Sequence, residues 1–589
     1  MLLEAVYHRA YPPFVYMYDK DCLHIHLRTK KQDIQSVKCY YGDPFLWENG
    51  QWKYSTIDMY KSGCDDLFDY WLVSVKTKMN RLRYGFQLYD GKQFLFYTEQ
   101  GFFKEQPTDI GPYFCFPYLH EADTFKAPDW VKDTVWYQIF PERFHNGSTK
   151  NDPKQIEKWG QTPKQDSYFG GDVKGIIDRI DYLKELGITG IYLTPIFQAK
   201  SNHKYDTIDY FQIDPQFGDK NEFKQLVNVC HEHGIKVMLD AVFNHCGFEF
   251  PPFQDVLQKG EQSPYKDWFF IREFPVQTEP HPNYETFAFE KRMPKFNTSN
   301  PEVKEYLLKV ATYWIEQYDI DGWRLDVANE IDHTFWREFR KKVKEIKKDM
   351  FIVGEVWHDA IRWLLGDQFD SVMNYPLTDA MRQYFLTNEM KTKQFISTIE
   401  RNRHTYQMNI NEVLFNIAGS HDTERIATAA QEHTEKLKLL FAFLFSYPGT
   451  PCLYYGDEIG LTGGQDPDCR KCMPWDLNHH EHELFLFVKK LIQLRKQHAL
   501  MGNKGTLTFH PVPEEKEVVL FTKTDEKNQF IFILNNSDQE QSVTLPFSLR
   551  NTTLQDVWTE DDFAANAETL NITIPPYSFQ FLLEKGKID

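Results

Sequence analysis

Hydrophobic and polar positions follow two different rhythms along the chain. Up to about residue 122 the apolar runs are short and alternate with polar residues. Leu23-His24-Ile25-His26-Leu27 is one such run, and Tyr84-Gly85-Phe86-Gln87-Leu88-Tyr89, followed by the turn signal Asp90-Gly91, is another. A period of two with hairpin punctuation predicts antiparallel strands, here an N-terminal β-sandwich over 1–122. From about 130 apolar strand-like runs alternate with helix-like segments. The strands are expected at Trp136–Phe140, Gly190–Pro195, Ile235–Asp240, Gly322–Asp326, Phe351–Glu355, Ser371–Asn374, Val413–Asn416 and Cys452–Tyr455. Amphipathic helices are expected over Ile176–Leu186 and 222–233. Eight such βα units predict an α/β fold, a (β/α)8 barrel over 123–504. The stretch between Asp240 and Asp326 is far longer than one unit needs, so residues 246–298 are expected to form an inserted lobe after strand 3. Past about 505 the strand rhythm returns in Val518–Phe521, Phe530–Leu534 and Ser578–Leu582, predicting a C-terminal β-sandwich over 505–589.

Composition narrows the function. Lys and Arg number 67 against 85 Asp and Glu, a formal net charge of −18. Such a surface repels phosphate backbones and argues against a nucleic-acid partner. The most apolar stretch, Leu439 to Phe445, is much shorter than the ~20 residues a membrane helix needs. The opening residues, Met1 to Arg9, lack a basic start followed by an apolar run, and the nine Cys are sparse. A cytoplasmic protein with reduced thiols is expected. Cys469-Arg-Lys-Cys472 has no second Cys or His pair near it in sequence, so it is not read as a zinc or redox motif. Aromatic residues make up 16% of the chain, which suits stacking against sugar rings as well as core packing.

Chemistry concentrates at the predicted strand ends. Asp240, Asp326, Glu355 and Asp422 fall at C-terminal ends of barrel strands, where barrels of this type build active sites. One such acid is ordinarily a helix cap; four at one mouth repel one another and point to function. Arg324 lies two residues before Asp326, on the same face of the strand. A guanidinium there is expected to keep Asp326 ionised, as a nucleophile must be. Apolar neighbours are expected to keep Glu355 protonated, as a general acid must be. One carboxylate and one carboxylic acid are the pair that glycoside hydrolysis uses.

Asp240-Ala-Val-Phe-Asn-His245, Gly322-Trp-Arg-Leu-Asp326, Gly354-Glu-Val-Trp357 and Ser420-His-Asp422 resemble, in order, the four signatures of the α-amylase superfamily. Met293-Pro-Lys-Phe-Asn297, Val327-Ala-Asn-Glu330 and the β-rich N-terminal region resemble its neopullulanase, cyclomaltodextrinase and maltogenic amylase group. The resemblance covers essentially the whole chain. It implies a retaining α-glycosidase acting on α-1,4 bonds in cyclodextrins, maltooligosaccharides and pullulan, with transfer to sugar acceptors. Asp326 is then the nucleophile, Glu355 the general acid and base, and Asp422 a holder of the sugar's 2- and 3-hydroxyls. His245 and His421 bind the same glucose, Tyr205 stacks beneath it, and Asp240 orients Arg324 or nearby hydroxyls. Glu330 and Trp357 line the acceptor side; Asp466 and Arg470 belong to the donor side. Asn146, Asn151, Asp152, Gly170 and Asp172 match a structural calcium loop of relatives, with Ser148 standing where relatives often carry Asp. Homodimers in which one N-terminal domain covers the partner's cleft are also implied, with Phe45 and Trp47 in the covering wall. The alternatives are an oligo-1,6-glucosidase or α-glucosidase, which lack the N-terminal sandwich and the Met-Pro-Lys motif, and a non-catalytic carbohydrate-binding relative, which has lost an acid.

Overall fold

The structure is a computed structural model that describes residues 1–76, 80–116, 118–547, 549, 553–564 and 570–584. It forms two compact units. One comprises Ala127–Thr387 with Val413–Asn503; the other comprises Met1–Lys126, Asn388–Glu412 and Lys504–Asp589.

In the first unit, parallel strands run in chain order around a sheet: Trp136–Ile139, Gly190–Leu193, Lys236–Ala241, Gly322–Leu325, Phe351–Gly354, Ser371–Val372, Phe415–Ile417 and Thr450–Tyr454. Trp136–Ile139 pairs with both its successor and Thr450–Tyr454, and a parallel bridge from Met373 to Phe415 closes the ring. These are the eight predicted strands, within a residue or two at their ends. Nearly every strand position is buried, since parallel strands are covered on both faces, so the runs read as continuous apolar stretches. The predicted helix over Ile176–Leu186 breaks at Arg179 into Val173–Asp178 and Ile180–Leu186. The helix predicted over 222–233 spans Lys220–Glu232, its start fixed by an Asp219/Glu222 capping box. Residues 246–298 hold a helix, Pro251–Lys259, and a hairpin of Thr286–Phe287 with Glu290–Pro294. Their backbone returns to the end of the third strand: Phe296 N–H donates to Asn244 O (3.0 Å) and Cys246 N–H to Pro294 O (3.1 Å).

The second unit contains the two predicted β-sandwiches. Strands within 15–116 roll around one core that includes Leu23, Ile25, Leu27, Val37, Phe86 and Leu88. Asp90 turns the predicted hairpin by accepting from Lys92 and Gln93 N–H (both 2.9 Å), and Gly91 takes φ +89 there. Strands between Thr506 and Glu584 build a second core from residues such as Leu520, Ile531 and Leu582. Residues 388–412, read from sequence as part of the barrel, pack with these sandwiches instead. They carry the helix Thr392–Arg403. His24, a polar position of the alternating run Leu23–Leu27, is buried. It belongs to a covered histidine cluster joined to this segment: Tyr16 Oη bonds His24 (3.1 Å) and His26 (3.3 Å) and accepts from Met408 N–H (2.9 Å). Phe45 and Trp47 are exposed, at 76% and 44%. Among the described residues no helix is long and apolar enough to cross a membrane.

Candidate active site

Four strand ends carry the acids, and one guanidinium gathers three of them. Arg324 is fully buried. Its Nη1 donates to both carboxylate oxygens of Asp240 (3.0 and 2.9 Å) and to Asp326 Oδ1 (2.7 Å). Its Nη2 stands 2.8 Å from Glu355 Oε1; this is a charge contact whose N–H is not aligned for a hydrogen bond. None of the four acids caps a described helix, so the capping explanation fails. One planar group holding Asp326 and Glu355 on its two nitrogens keeps their carboxyls close. Closely spaced carboxyls, about 5–5.5 Å apart, are the retaining arrangement, in which no water fits between them.

The expected ionised Asp326 is not met in this resting geometry. Burial pushes Asp326 well above the usual carboxylate range; Arg324 opposes that rise and Glu355 adds to it. Burial likewise lifts Asp240 to about 6 despite Arg324. Arg324 does not single out Asp326, because it also touches Glu355. Asp240 and Asp326 are both raised by burial around one guanidinium, so a proton shared between these two lowers their energy.

Glu355 is further positioned by two donors. Trp357 Nε1–H reaches its Oε1 at 3.2 Å, and Val327 N–H its Oε2 at 2.9 Å. Val327 adopts φ +46, a costly conformation for a β-branched residue. That backbone turn directs its N–H at the carboxyl. Trp357 lies flat on Tyr375, with ring centroids 3.8 Å apart.

Asp422 stands apart from the Arg324 cluster. Arg470 Nη2 donates to its Oδ1 (3.2 Å), Nη1 pairs with Asp466 (3.1 Å), and Nε donates to His421 O (2.9 Å). His421 is buried and held neutral, its pKa pushed well down by desolvation and by Arg470. Gln138 Nε2 donates to its Nδ1 (2.7 Å), which leaves the proton on Nε2, facing Tyr205 Oη at 2.7 Å and Asp422 Oδ2 at 3.1 Å. Tyr205 in turn donates to Asp240 (3.0 Å) and lies parallel to His421.

These groups surround a cavity of about 520 Å³. Its walls include the predicted Tyr205, His245, Asp326, Glu355, Trp357 and His421, with Asp422, Asp466 and Arg470. Asp240 and Arg324 lie beneath the floor, both fully buried. Glu330 is not among the lining residues; its carboxylate is half exposed and pairs with Lys295 (3.2 Å). Also on the wall, without a role assigned from sequence, are Phe287, Glu290 and Met293 from the inserted lobe, and His203, Val327 and Asn329. Met293, Val327 and Asn329 stand inside the motifs quoted from the sequence, and His203 lies two residues before Tyr205, which was an available signal. Phe287 and Glu290 follow no period.

The calcium candidates form a separate polar nest. Asn146 Nδ2 donates to Asp152 (2.7 Å) and Asn151 to Asp172 (3.5 Å); Asp172 also caps Val173–Asp178 by accepting from Gly175 N–H (2.6 Å). Ser148 contributes backbone: its carbonyl accepts from Asn151 N–H. Three observations fit a hard cation. Asn146 Oδ1 is buried with no partner. A Cβ on Gly170, at φ +81, would collide with Asp152 and Asn146. Burial raises Asp172 to about 6, a cost that a bound cation offsets. Among the described residues no three His, Cys, Asp or Glu side chains converge on a metal position, so amide and backbone oxygens would have to complete the shell.

Comparison with known proteins decides the family. The description "Alpha amylase, catalytic domain" matches residues 138–504, "Alpha amylase, N-terminal ig-like domain" matches 1–120, and "Maltogenic Amylase, C-terminal domain" matches 507–580. This chain belongs to the alpha-amylase family. It is a glycoside hydrolase of that family. It is 55% identical to a cyclomaltodextrinase of Geobacillus thermopakistaniensis over 98% of this chain and 99% of that one. A maltogenic alpha-amylase of Bacillus acidopullulyticus is 54% identical, over 97% and 98% of the two chains. A solved cyclomaltodextrinase superposes with a TM-score of 0.94 at 45% identity, covering 99% of this chain and all of that one. Asp240, Asp326, Glu355 and Asp422 all lie within the residues that the catalytic-domain description matches.

Proposed function

We propose that this enzyme cleaves α-1,4-glucosidic bonds of cyclodextrins, maltooligosaccharides and pullulan with retention of configuration. Glu355 protonates the glycosidic oxygen while an Asp326 oxygen attacks the anomeric carbon. The C–O bond to the leaving sugar breaks and a β-glycosyl ester forms on Asp326. Glu355, now a carboxylate, removes a proton from water or from a sugar hydroxyl. That oxygen displaces Asp326 and restores the α configuration. Transfer to a sugar is transglycosylation, with Trp357 and Glu330 on the acceptor side. Asp422, His421 and His245 hold the donor glucose, Tyr205 supports its ring, and Asp466 and Arg470 line the donor side. The observation that carries this reading is the single guanidinium of Arg324 holding Asp326 and Glu355 together at the cavity floor. The test is parallel assay of β-cyclodextrin, pullulan and soluble starch with the wild type and Asp326→Asn. Fastest cleavage of cyclodextrin, abolished in the variant, supports the reading; no cleavage of any of the three contradicts it.

Three further parts belong to the same reading. A structural Ca²⁺ is held by Asn146, Asn151, Asp152, Gly170 and Asp172, with Ser148 supplying no carboxylate; its contribution is to neutralise Asp152 and Asp172 and rigidify the loop. The enzyme is a homodimer, favoured by the exposed Phe45 and Trp47, and a monomer by sedimentation at micromolar concentration would contradict that. The enzyme works in the cytoplasm on imported oligosaccharides.

A further inference from the structure

Lys295 comes from the inserted lobe, and the mechanism above does not use it. Its backbone is fixed on both sides. An antiparallel bridge pairs it with His245, its N–H donates to Glu285 O (3.0 Å), and its neighbours Pro294 and Phe296 bond Cys246 and Asn244. The side chain is largely covered, at 18% exposure. Its ammonium spends its donors on three acceptors: Asn244 Oδ1, Glu330 O (3.1 Å) and Glu330 Oε2 (3.2 Å).

The first of these contacts fixes the chemistry of the next residue. An ammonium only donates, so the Asn244 amide must turn its oxygen to Lys295 and its NH2 away. That NH2 faces His245 Nδ1 at 3.4 Å. A donor on Nδ1 makes Nδ1 the acceptor and leaves the imidazole proton on Nε2. His245 Nε2 is buried, has no partner, and belongs to a ring that lines the cavity. Burial and the nearby Lys295 charge keep His245 neutral, with a pKa of about 3, against an opposing contribution from the Tyr205 backbone beside the ring. The ring is further held by Phe287, parallel at 4.8 Å. The second pair of contacts acts on another part of the cavity wall. Glu330 closes the short helical turn Ala328–Glu330, which follows Val327 and includes Asn329, two residues of the cavity wall. Lys295 binds both the backbone and the carboxylate of that residue.

We infer that Lys295 is a positioning residue that orients the Nε2–H donor of His245 through Asn244 toward a sugar hydroxyl, and at the same time anchors the Glu330 turn that receives the acceptor sugar. It rests on the hydrolase reading above for its substrate. One lysine then links donor binding to acceptor use, and removing it disturbs both.

The test compares Lys295→Met with Asn244→Leu and Glu330→Gln. Each is assayed on β-cyclodextrin for KM and kcat, and on 4-nitrophenyl α-maltoside with methyl α-glucoside added as acceptor for the transfer-to-hydrolysis ratio. Lys295→Met is expected to raise the β-cyclodextrin KM about tenfold, the effect of one misdirected hydrogen bond, with a smaller change in kcat. It is also expected to shift the transfer ratio at least threefold. Asn244→Leu should reproduce only the KM effect and Glu330→Gln only the ratio effect. Lys295→Arg, which keeps the charge, should recover part of both. A Lys295→Met enzyme with KM and ratio each within twofold of wild type overturns the inference, as does a loss confined to kcat. If Lys295→Met does not fold, Asn244→Leu combined with Glu330→Gln decides the matter, because effects joined through Lys295 are non-additive and independent ones add. A wild type inactive on β-cyclodextrin contradicts the hydrolase reading alone; β-cyclodextrin binding by calorimetry to the same variants then tests the His245 arm.

Discussion

Two buried polar clusters in this molecule look alike in composition and differ in completeness. In the terminal unit His8 bonds His26 O (2.6 Å) and Tyr84 Oη (2.8 Å), and His404 bonds Glu400 O (2.7 Å) and Ser62 (3.0 Å). Every one of these ring nitrogens has a partner. At the barrel mouth Asp326 Oδ2, Arg324 Nε and His245 Nε2 are equally buried and have none. A satisfied network stabilises a unique packing, whereas an orphaned polar atom costs free energy that a fold retains for a purpose. The ring nitrogens of His8 and His404 are all engaged, whereas Asp326 and His245 each present an unpartnered buried atom and also line the cavity.

The largest expected effect that sharpens this contrast is on the barrel side. Asp326→Asn should lower kcat about 10⁴-fold or more, as loss of a nucleophile does, with a melting temperature at or above wild type because a buried charge is relieved. Equal losses of activity and stability would remove the distinction. Next, Arg324→Leu strands three acids and should cost about 3–5 kcal/mol of stability near neutral pH. The loss should shrink on acidification toward pH 5, read by denaturant titration at several pH values.

A third prediction uses pH to set the clusters against each other. Burial lowers His8 to about 3 and His24 to about 4, and pushes His26 and His404 well down. The unfolded chain therefore binds more protons below about pH 6.5, so these groups weaken the terminal unit as pH falls from there toward 4. Barrel acids go the other way. Asp240 and Asp457 are raised to about 6 and Glu458 to about 7, so their burial costs least below about pH 4 and grows as pH rises toward 6–7. Hydrogen exchange, corrected for intrinsic rate, should show segments 22–30 and 400–407 losing protection between pH 6.5 and 4.5 while 236–241 and 454–459 hold or gain. Parallel loss in both sets would refute the assignment. The smallest effect is at the calcium nest. Chelation should lower the melting temperature by about 2–4 °C without altering kcat, and Asp172→Asn should remove that sensitivity.

How far the sequence could be read follows the same division. The barrel strands were legible because parallel strands covered on both faces are continuous apolar runs, and the acids stood at their ends. Alternation in Leu23–Leu27 puts His24 and His26 on one face of a strand but does not say whether that face is covered. Burial of that face came from residues 388–412, distant in sequence and read as barrel. Phe287 and Glu290 were illegible because that part of the lobe has no repeating pattern. The division of roles between Asp326 and Glu355 was drawn from neighbours in sequence, but Arg324 reaches across strands to both. The left-handed turn at Val327, which delivers an N–H to Glu355, is a backbone property that a valine in the sequence argues against.

The central claim is a covalent ester on Asp326, and it can be observed directly. Glu355→Gln mixed with α-maltosyl fluoride, whose leaving group needs no proton, should accumulate the intermediate. Mass spectrometry of a peptic digest should find a maltosyl adduct on the peptide containing Asp326, absent when Asp326→Asn is added. An unmodified peptide despite fluoride release, or an adduct on another residue, would contradict the account.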